Sequence, residues 1–329
     1  MVADQAKACG VKMPARQRFV PTQLATLVAA APTGDEWVFE VKYDGYRIEA
    51  LVHEGTARLF TRRGKDWTRR FPAVAQRLAR LPVESATLDG ELVALDRSGR
   101  SKFVLLQQSL DATRRQRLTF FVFDLLRLDG EDLRALPLDE RRRRLLRMLR
   151  RAGATRSGAV RVGQRLRGNG AALLRTACRR GLEGIIAKQR DAAYRSRRTR
   201  AWVKVKCGHR QEMVVIGFTP PKGSRVGIGS LLLGVHKGDT LRYAGRVGSG
   251  MDEDMLGRLL RRLTRITRKT SPLPGTPSRL PIAVRWVQPR VVVEVSFTEW
   301  TRDGRLRHPV FQGIREDKPA GDVHRENPR

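Results

Sequence analysis

The chain has 329 residues, 40% of them hydrophobic and 6% aromatic, a length that suits two compact domains better than one large core. It has no run of about 18 apolar residues and no apolar stretch in its first twelve residues, which argues against a transmembrane helix and a secretory signal. The formal net charge of +33 favours a polyanionic partner, because each cation placed on a phosphate releases counterions. We therefore expect a cytoplasmic, nucleoid-associated protein with no membrane partner.

The cysteines, lysines and histidines restrict the kinds of site that the chain can form. Cys9, Cys178 and Cys207 are isolated, so we expect neither a disulfide framework nor a zinc site, and a reducing location follows. Only 12 of the 66 cations are Lys, and Arg cannot act as a nucleophile because it keeps its proton. The few positions that carry Lys are therefore the first candidates for a catalytic site. The histidines show no metal-ligand spacing and are interpreted as structural or surface residues: His53, His209, His236, His308 and His324.

The first half of the chain alternates β-rich apolar runs with helical periodicity, which predicts a mixed unit. The predicted strands are Trp37–Val41, Ile48–Val52, Leu88–Leu95, Leu118–Leu126, Gly184–Lys188 and Trp202–Lys206. The predicted helices are Phe71–Leu81, Asp139–Arg151 and Ala171–Arg180. The arginine run 141–144, with Arg147, Arg150 and Arg151, could contact a DNA backbone or form the solvated face of a helix, and both interpretations stay open.

Beyond Gly208, short β-rich runs alternate with Gly/Pro turns and one amphipathic helix, a pattern that fits a small OB-type barrel. The predicted strands are Met213–Phe218, Leu231–His236, Leu241–Ala244 and Val291–Phe297. The predicted helix is Asp252–Arg268, which begins with acids and ends with cations, as a helix dipole prefers. With a boundary near 207–210, we predict domains at 15–207 and 208–318 and a loose tail at 319–329.

Lys42 begins the motif K-x-D-G-x-R, which directly follows the strand Trp37–Val41. Alone, this motif is equally compatible with a charged turn after a strand. Further motifs follow in order: LDGEL at 88–92, FVFDLL at 121–126, EGIIAK at 183–188 and WVKVK at 202–206. Half of the twelve lysines lie in such motifs, namely Lys42, Lys188, Lys204, Lys206, Lys222 and Lys318.

This ordered set resembles the covalent nucleotidyltransferase superfamily of ATP-dependent DNA ligases, RNA ligases and mRNA capping enzymes. The later motifs resemble the ligase portion of the bacterial end-joining ligase D group: TPPKGSR at 219–225, GSLLLG at 229–234, RYAGRVG at 242–248 and LRHPVFQGIREDK at 306–318. The resemblance covers about residues 15–320. It implies an α+β fold, in which a nucleotidyltransferase (adenylation) domain of antiparallel sheets and helices precedes a C-terminal OB-fold β-barrel.

The resemblance implies that Lys42 attacks the α-phosphorus of ATP and forms a lysyl–AMP intermediate. A neutral lysine amine is suited to this step, which depends mainly on positioning and charge neutralisation. Lys204 and Lys206 alternate along a predicted strand, so both side chains should project from one face and reach the α-phosphate. A lysine pair on a solvated strand face is the alternative.

The resemblance also assigns the other site residues. Glu91 and Glu183 would hold Mg²⁺ (or Mn²⁺), which prefers oxygen ligands. Phe123 would stack on adenine, although an aromatic in a strand is more often a core residue. Residues that would bind ATP or AMP are Glu40, Arg47, Arg62, Glu91, Phe123, Lys188, Lys204, Lys206, Arg315 and Lys318. Residues that would bind DNA are Arg62, Arg63, Lys222 and Arg225.

We therefore expect an ATP-dependent DNA ligase that seals nicked duplex DNA through lysyl–AMP and DNA–adenylate intermediates in end-joining repair. It would act as a monomer, with a Ku-like end-binding protein as a candidate partner. An RNA ligase or a capping-type guanylyltransferase is the nearest alternative. A non-catalytic nucleic-acid-binding relative is the alternative from another class.

Overall fold

The computed structural model describes residues 18–109, 118–153, 158–221, 227–275, 280 and 283–326. The α-helices within these ranges are Pro72–Ala79 (α1), Phe103–Gln108 (α2), Leu138–Arg151 (α3), Gly170–Arg179 (α4) and Glu253–Thr264 (α5). In the described part of the chain, no helix has the length and apolar character needed to cross a membrane.

The strands fall into two groups along the chain. The first group is Leu24–Leu27 (β1), Trp37–Val41 (β2), Tyr46–His53 (β3), Thr56–Thr61 (β4), Ser85–Ala94 (β5), Leu118–Leu128 (β6), Glu131–Asp132 (β7), Val160–Val162 (β8), Arg165–Leu166 (β9), Gly184–Gln189 (β10) and Arg198–Lys206 (β11). The second is His209–Thr219 (β12), Ser230–Lys237 (β13), Thr240–Val247 (β14), Thr267–Arg268 (β15), Arg285–Phe297 (β16), Glu299–Trp300 (β17), Leu306–Arg307 (β18) and Val310–Ile314 (β19).

Two sheets form the N-terminal unit, residues 18–206. One has the order β1-β11-β10-β2-β9, and the other has the order β4-β3-β5-β6-β7 with β8 added beside β6. Neighbouring strands are antiparallel except in the pairs β1–β11 and β6–β8. A cluster of Val20, Phe123, Leu126, Tyr194 and Trp202 joins the sheets, because it contains side chains from both β6 and β11. The predicted mixed unit of mainly antiparallel sheets is confirmed.

Helix α3 shows why part of the arginine run is neither DNA-binding nor solvated. Arg141 is fully buried and makes two hydrogen bonds, of 2.8 and 2.9 Å, to the fully buried carboxylate of Asp124 on β6. Arg142 is also buried and donates to the carbonyl of Gly163. Both earlier interpretations are therefore wrong for these two residues. A carboxylate buried within a strand needs a cation beside it, and α3 supplies that cation.

The C-terminal unit, residues 209–326 and here called the barrel, has the strand order β14-β13-β12-β16-β15, with β19 paired to β16. Helix α5 packs with Met255, Leu256, Leu259 and Leu263 buried. It ends at Thr264 rather than at the predicted Arg268, because Thr267 and Arg268 form β15 against β16. Within the described residues, the apolar core of the barrel comes from residues 213–323 and shares no buried residue with the cores of the N-terminal unit.

The last segment that the structure describes is more ordered than its composition predicts. Residues 319–326 of the expected loose tail pack against the barrel, and Ala320–Asp322 forms a 3-10 helix. Val323 is fully buried, and its carbonyl accepts a hydrogen bond of 2.8 Å from the backbone of His236. One buried apolar residue thus anchors a segment that is otherwise rich in Pro, Gly and charge.

Cys178, at the end of α4, forms a disulfide with Cys207, and their Cα atoms lie 5.1 Å apart. The expectation of no disulfide is therefore wrong. The 29-residue separation hides the proximity, which arises because β10 and β11 form an antiparallel hairpin that returns the chain to α4. The cysteines therefore no longer support the expected reducing location.

Candidate active site

A cavity of about 420 Å³ lies between the two sheets of the N-terminal unit and the barrel. Cationic and acidic side chains line it in nearly equal number. Lys222 and Arg225 lie outside the described residues. All the other predicted site residues line the cavity: Glu40, Lys42, Arg47, Arg62, Arg63, Glu91, Phe123, Glu183, Lys188, Lys204, Lys206, Arg315 and Lys318.

Lys42 directly follows β2, and its backbone N–H donates to the carbonyl of Gly184 at 3.1 Å. This pairing of β2 with β10 brings the Lys42 Nζ to 2.5 Å from a carboxylate oxygen of Glu183. Burial would raise the pKa of Glu183, but the charges of Lys42, Arg210 and Lys206 outweigh burial and hold that pKa below its usual value. The candidate nucleophile and one candidate metal ligand are therefore immediate neighbours.

Lys204 and Lys206 project from one face of β11, as their alternation predicts. Each Nζ lies 2.8 Å from a different carboxylate oxygen of Glu326. Burial, together with the neighbouring charge of Lys206, lowers the pKa of Lys204 to about 8. Sequence reasoning did not find Glu326, because the segment that carries it was predicted to be loose.

Glu91 lies on β5 directly opposite Arg47 on β3 and faces the cavity. Burial raises the pKa of this carboxyl to about 8, although the charges of Arg47 and Lys42 act in the opposite direction. A divalent cation would relieve that desolvation. Among the described residues, no cluster of three or more His, Cys, Asp or Glu side chains could enclose a metal. Glu91 and Glu183 as ligands of Mg²⁺ stay a prediction, in which substrate phosphates would supply further ligands.

Phe123, on β6, lines the cavity. The Arg47 guanidinium lies 4.5 Å from its ring centroid, and the Lys188 Nζ lies 4.2 Å from it. Lys188 is almost fully buried, and its Nζ pairs at 2.7 Å with the Glu40 carboxylate. Burial lowers the pKa of Lys188. These residues, all predicted to bind ATP or AMP, therefore lie side by side, and adenine stacking on Phe123 stays a prediction.

The barrel places Arg315 and Lys318 in the cavity. Arg315 pairs with Glu294 and Asp317, each at 2.8 Å, and its guanidinium lies 4.7 Å from the ring centroid of Phe103 on α2. The Lys318 Nζ pairs with Glu212 at 3.1 Å. The barrel is thus closed on the N-terminal unit in this structure.

Two contacts that the motifs did not predict hold the barrel closed. The backbone N–H of Ile314 donates to Gln107 Oε1 at 3.0 Å, and Gln107 Nε2 donates back to the carbonyl of Ile314. Gly313 has a φ of +148°, and a Cβ there would collide with the Gln107 side chain. Arg210 donates to Asp44 at 2.7 Å and so connects β12 to the K-x-D-G motif. Asp44 belongs to the K-x-D-G motif but had no predicted role, and it was the one sequence signal for the contact with Arg210.

Two parts of the chain match known protein families. Residues 22–206 match the sequence model of the ATP dependent DNA ligase domain, and residues 224–318 match that of the ATP dependent DNA ligase C terminal region. The chain belongs to the ATP-dependent DNA ligase family. This match favours the predicted DNA ligase over the RNA ligase and capping-enzyme alternatives.

The ligase is similar to part of larger bacterial proteins. It is 44% identical over 323 residues to the multifunctional non-homologous end joining protein LigD of Pseudomonas aeruginosa, an alignment that covers 97% of the ligase and 38% of that relative. It is 38% identical over 294 residues to the multifunctional non-homologous end joining DNA repair protein LigD of Mycobacterium tuberculosis, covering 88% of the ligase and 38% of the relative. The ligase therefore spans well under half the length of these relatives.

Solved structures agree with the fold. The ligase matches a mycobacterial DNA ligase D complexed with ATP and MES with a TM-score of 0.70 at 36% identity, over 93% of the ligase and 98% of that chain. It matches the ligase domain of M. tuberculosis LigD over the same shares of both chains, with a TM-score of 0.52. These matches confirm the predicted α+β fold of an adenylation domain followed by an OB-fold region.

Proposed function

We propose that this ligase seals nicks in duplex DNA, with Lys42 as the nucleophile that takes AMP from ATP, and that it serves end-joining repair. The observation that carries this proposal is the convergence of Lys42, Lys204 and Lys206 on one cavity beside two carboxylates suited to a divalent cation. A Ku-like end-binding protein is the proposed partner, and the relatives' role in end joining supports that choice.

In the first step, a bond forms between Lys42 Nζ and the α-phosphorus, the bond to the bridging oxygen breaks, and pyrophosphate leaves. A lysine amine attacks only when neutral, so Lys42 must lose its proton and separate from Glu183. Lys204 and Lys206 neutralise the α-phosphate, and Arg315 and Lys318 face the departing pyrophosphate. A divalent cation held by Glu91 and Glu183 would neutralise phosphate charge and would compete with Lys42 for Glu183.

The later steps use the same cavity with DNA. An oxygen of the 5′-phosphate at a nick attacks the phosphorus of lysyl–AMP, and the bond between nitrogen and phosphorus breaks. The 3′-hydroxyl then attacks the 5′-phosphorus, loses its proton and expels AMP. The duplex can approach the cavity only if the barrel moves away, so the contacts made by Gln107 and Arg210 must break between the first and second steps.

The direct test is a pulse and chase. Purified protein, freed of bound AMP with pyrophosphate, receives α-labelled ATP and Mg²⁺, and nicked duplex DNA follows. We expect label to enter the protein and then to leave as the strand is sealed. Failure to label would contradict the enzymatic proposal and favour a non-catalytic DNA-binding relative. Label that stays on the protein would contradict nicked DNA as the substrate.

We expect Gln107→Ala to slow self-adenylation about tenfold, because two hydrogen bonds that hold the barrel closed are lost. Sealing of a pre-adenylated nick should change little, since that step uses the open barrel. Rates of the two steps, measured separately, check this expectation. The matched control is Gln108→Ala on the same helix, which should leave both rates unchanged. An equal loss in both steps would show that Gln107 serves only the fold.

Binding to nicked duplex DNA should weaken steeply with salt, because the positive surface acts on phosphates with little sequence readout. If six or more phosphates are contacted, affinity should fall by about 10³-fold or more between roughly 50 and 200 mM salt. Fluorescence anisotropy of a labelled nicked duplex at increasing KCl measures this dependence. An affinity that stays flat over this range would contradict an electrostatic interface.

A further inference from the structure

The C-terminal segment, residues 319–326, reaches the cavity. Asp322, His324 and Glu326 line the cavity wall alongside the predicted site residues. The side chain of Gln211 on β12 holds the backbone of the segment: Gln211 Nε2 donates to the carbonyl of His324 at 3.0 Å, and the backbone N–H of Glu326 donates to Gln211 Oε1 at 3.0 Å. Together with the buried side chain of Val323, these contacts hold the backbone of Glu326 close to the cavity.

Glu326 bridges the two lysines of β11. One of its oxygens lies 2.8 Å from Lys204 Nζ, and the other lies 2.8 Å from Lys206 Nζ. Burial would raise the pKa of Glu326, but the charges of Lys206 and Lys204 outweigh it and hold that pKa at about 2. The side chain is therefore anionic near neutral pH. Two acceptor oxygens, each on one ammonium group, reproduce the contacts that a phosphate would make with the same pair.

We propose that Glu326 is an internal ligand of the phosphate-binding position, and that ATP occupies this position only after Glu326 leaves Lys204 and Lys206. The proposal rests on the proposed function, because it takes these lysines to bind the α-phosphate. A carboxylate and a phosphate cannot share the same two ammonium groups without strong repulsion between like charges. ATP binding is therefore weakened by the fraction of molecules in which Glu326 holds the lysines.

The competition between Glu326 and ATP affects only the first step of the reaction. Glu326 is anchored to the barrel through Gln211, whereas Lys204 and Lys206 belong to the N-terminal unit. When the barrel moves away for the DNA steps, it carries Glu326 away from the lysines. Glu326 therefore competes with ATP in the closed enzyme and has no contact with the cavity when the nick is sealed.

The test measures ATP affinity without covalent chemistry. The full chain with Lys42→Ala is titrated with ATP in a calorimeter, with and without Glu326→Gln. We expect the Glu326 substitution to lower the dissociation constant about tenfold, which corresponds to Glu326 holding the lysines in roughly nine molecules of ten. With Lys42 intact, the KM for ATP in self-adenylation should fall, and the rate of sealing a pre-adenylated nick should not change.

The matched control is Glu299→Gln, which removes an exposed carboxylate that pairs with Arg307 and does not line the cavity, and ATP affinity should not change. An unchanged or higher dissociation constant for Glu326→Gln would overturn the proposal. Glu326→Ala, which removes the carboxylate without leaving an amide, must shift affinity in the same direction.

A third substitution, Lys204→Met, tests the inference about Glu326 separately from the proposed phosphate-binding role of the lysines. If it weakens ATP binding while both Glu326 variants change nothing, only the inference about Glu326 fails. If Lys204→Met leaves ATP binding unchanged, the proposed phosphate-binding role of the lysines fails with it.

Discussion

Lys42→Ala is expected to reduce self-adenylation by at least about 10³-fold, because it removes the amine proposed to attack ATP. The same variant should still seal a nick whose 5′-phosphate already carries AMP, since that step needs no lysyl intermediate. Incorporation of α-labelled ATP into protein measures the first rate, and joining of a pre-adenylated duplex measures the last.

Lys237→Ala is the matched control for Lys42, because Lys237 is exposed at the end of β13 and does not line the cavity. Both rates should stay unchanged in this variant. Labelling of the Lys42 variant at a normal rate would show that another residue is the nucleophile.

Arg141→Ala is expected to lower the free energy of unfolding by about 3–5 kcal/mol, because it leaves the Asp124 carboxylate buried without its counter-charge. The substitution also removes hydrogen bonds from Arg141 to the carbonyls of Leu136 and Ala192. Chemical denaturation followed by tryptophan fluorescence measures the change, since Trp67 and Trp202 report on the N-terminal unit.

Arg143→Ala, two residues along α3, provides the comparison. Arg143 is largely exposed and pairs with Glu140 on the helix surface, so its loss should cost about 1 kcal/mol or less. Equal destabilisation by the two substitutions would contradict the assignment of Arg141 and Asp124 as a buried ion pair that supports the core.

Local patterns predicted the strands well where apolar runs have sharp limits. Strand β2 has the predicted bounds, Trp37–Val41, because the apolar run stops at the charged motif. Strand β16 begins at Arg285 rather than at the predicted Val291, because Arg285, Trp286 and Val287 pair with β12 and β15 before the polar and proline residues at 288–290 interrupt the apolar run. The ends of a strand depend on its partner strands, and the periodicity of the sequence does not reveal those partners.

The predicted site residues converge because their motifs follow or lie on strands that meet at one cavity, as with Lys42 after β2 and Lys204 on β11. The missed features all depend on distant pairs: Asp124 with Arg141, Cys178 with Cys207, and Glu326 with the lysines. No local signal marks such pairs, since each residue alone has an ordinary role.

The separate cores of the two units have a thermodynamic consequence for barrel movement. The interface between the units includes ion pairs such as Arg210 with Asp44 and the paired hydrogen bonds of Gln107, and the described apolar clusters do not cross it. Opening therefore transfers little apolar surface to water, and its heat-capacity change should be small. The balance between closed and open ligase should consequently vary little with temperature and should respond strongly to ionic strength.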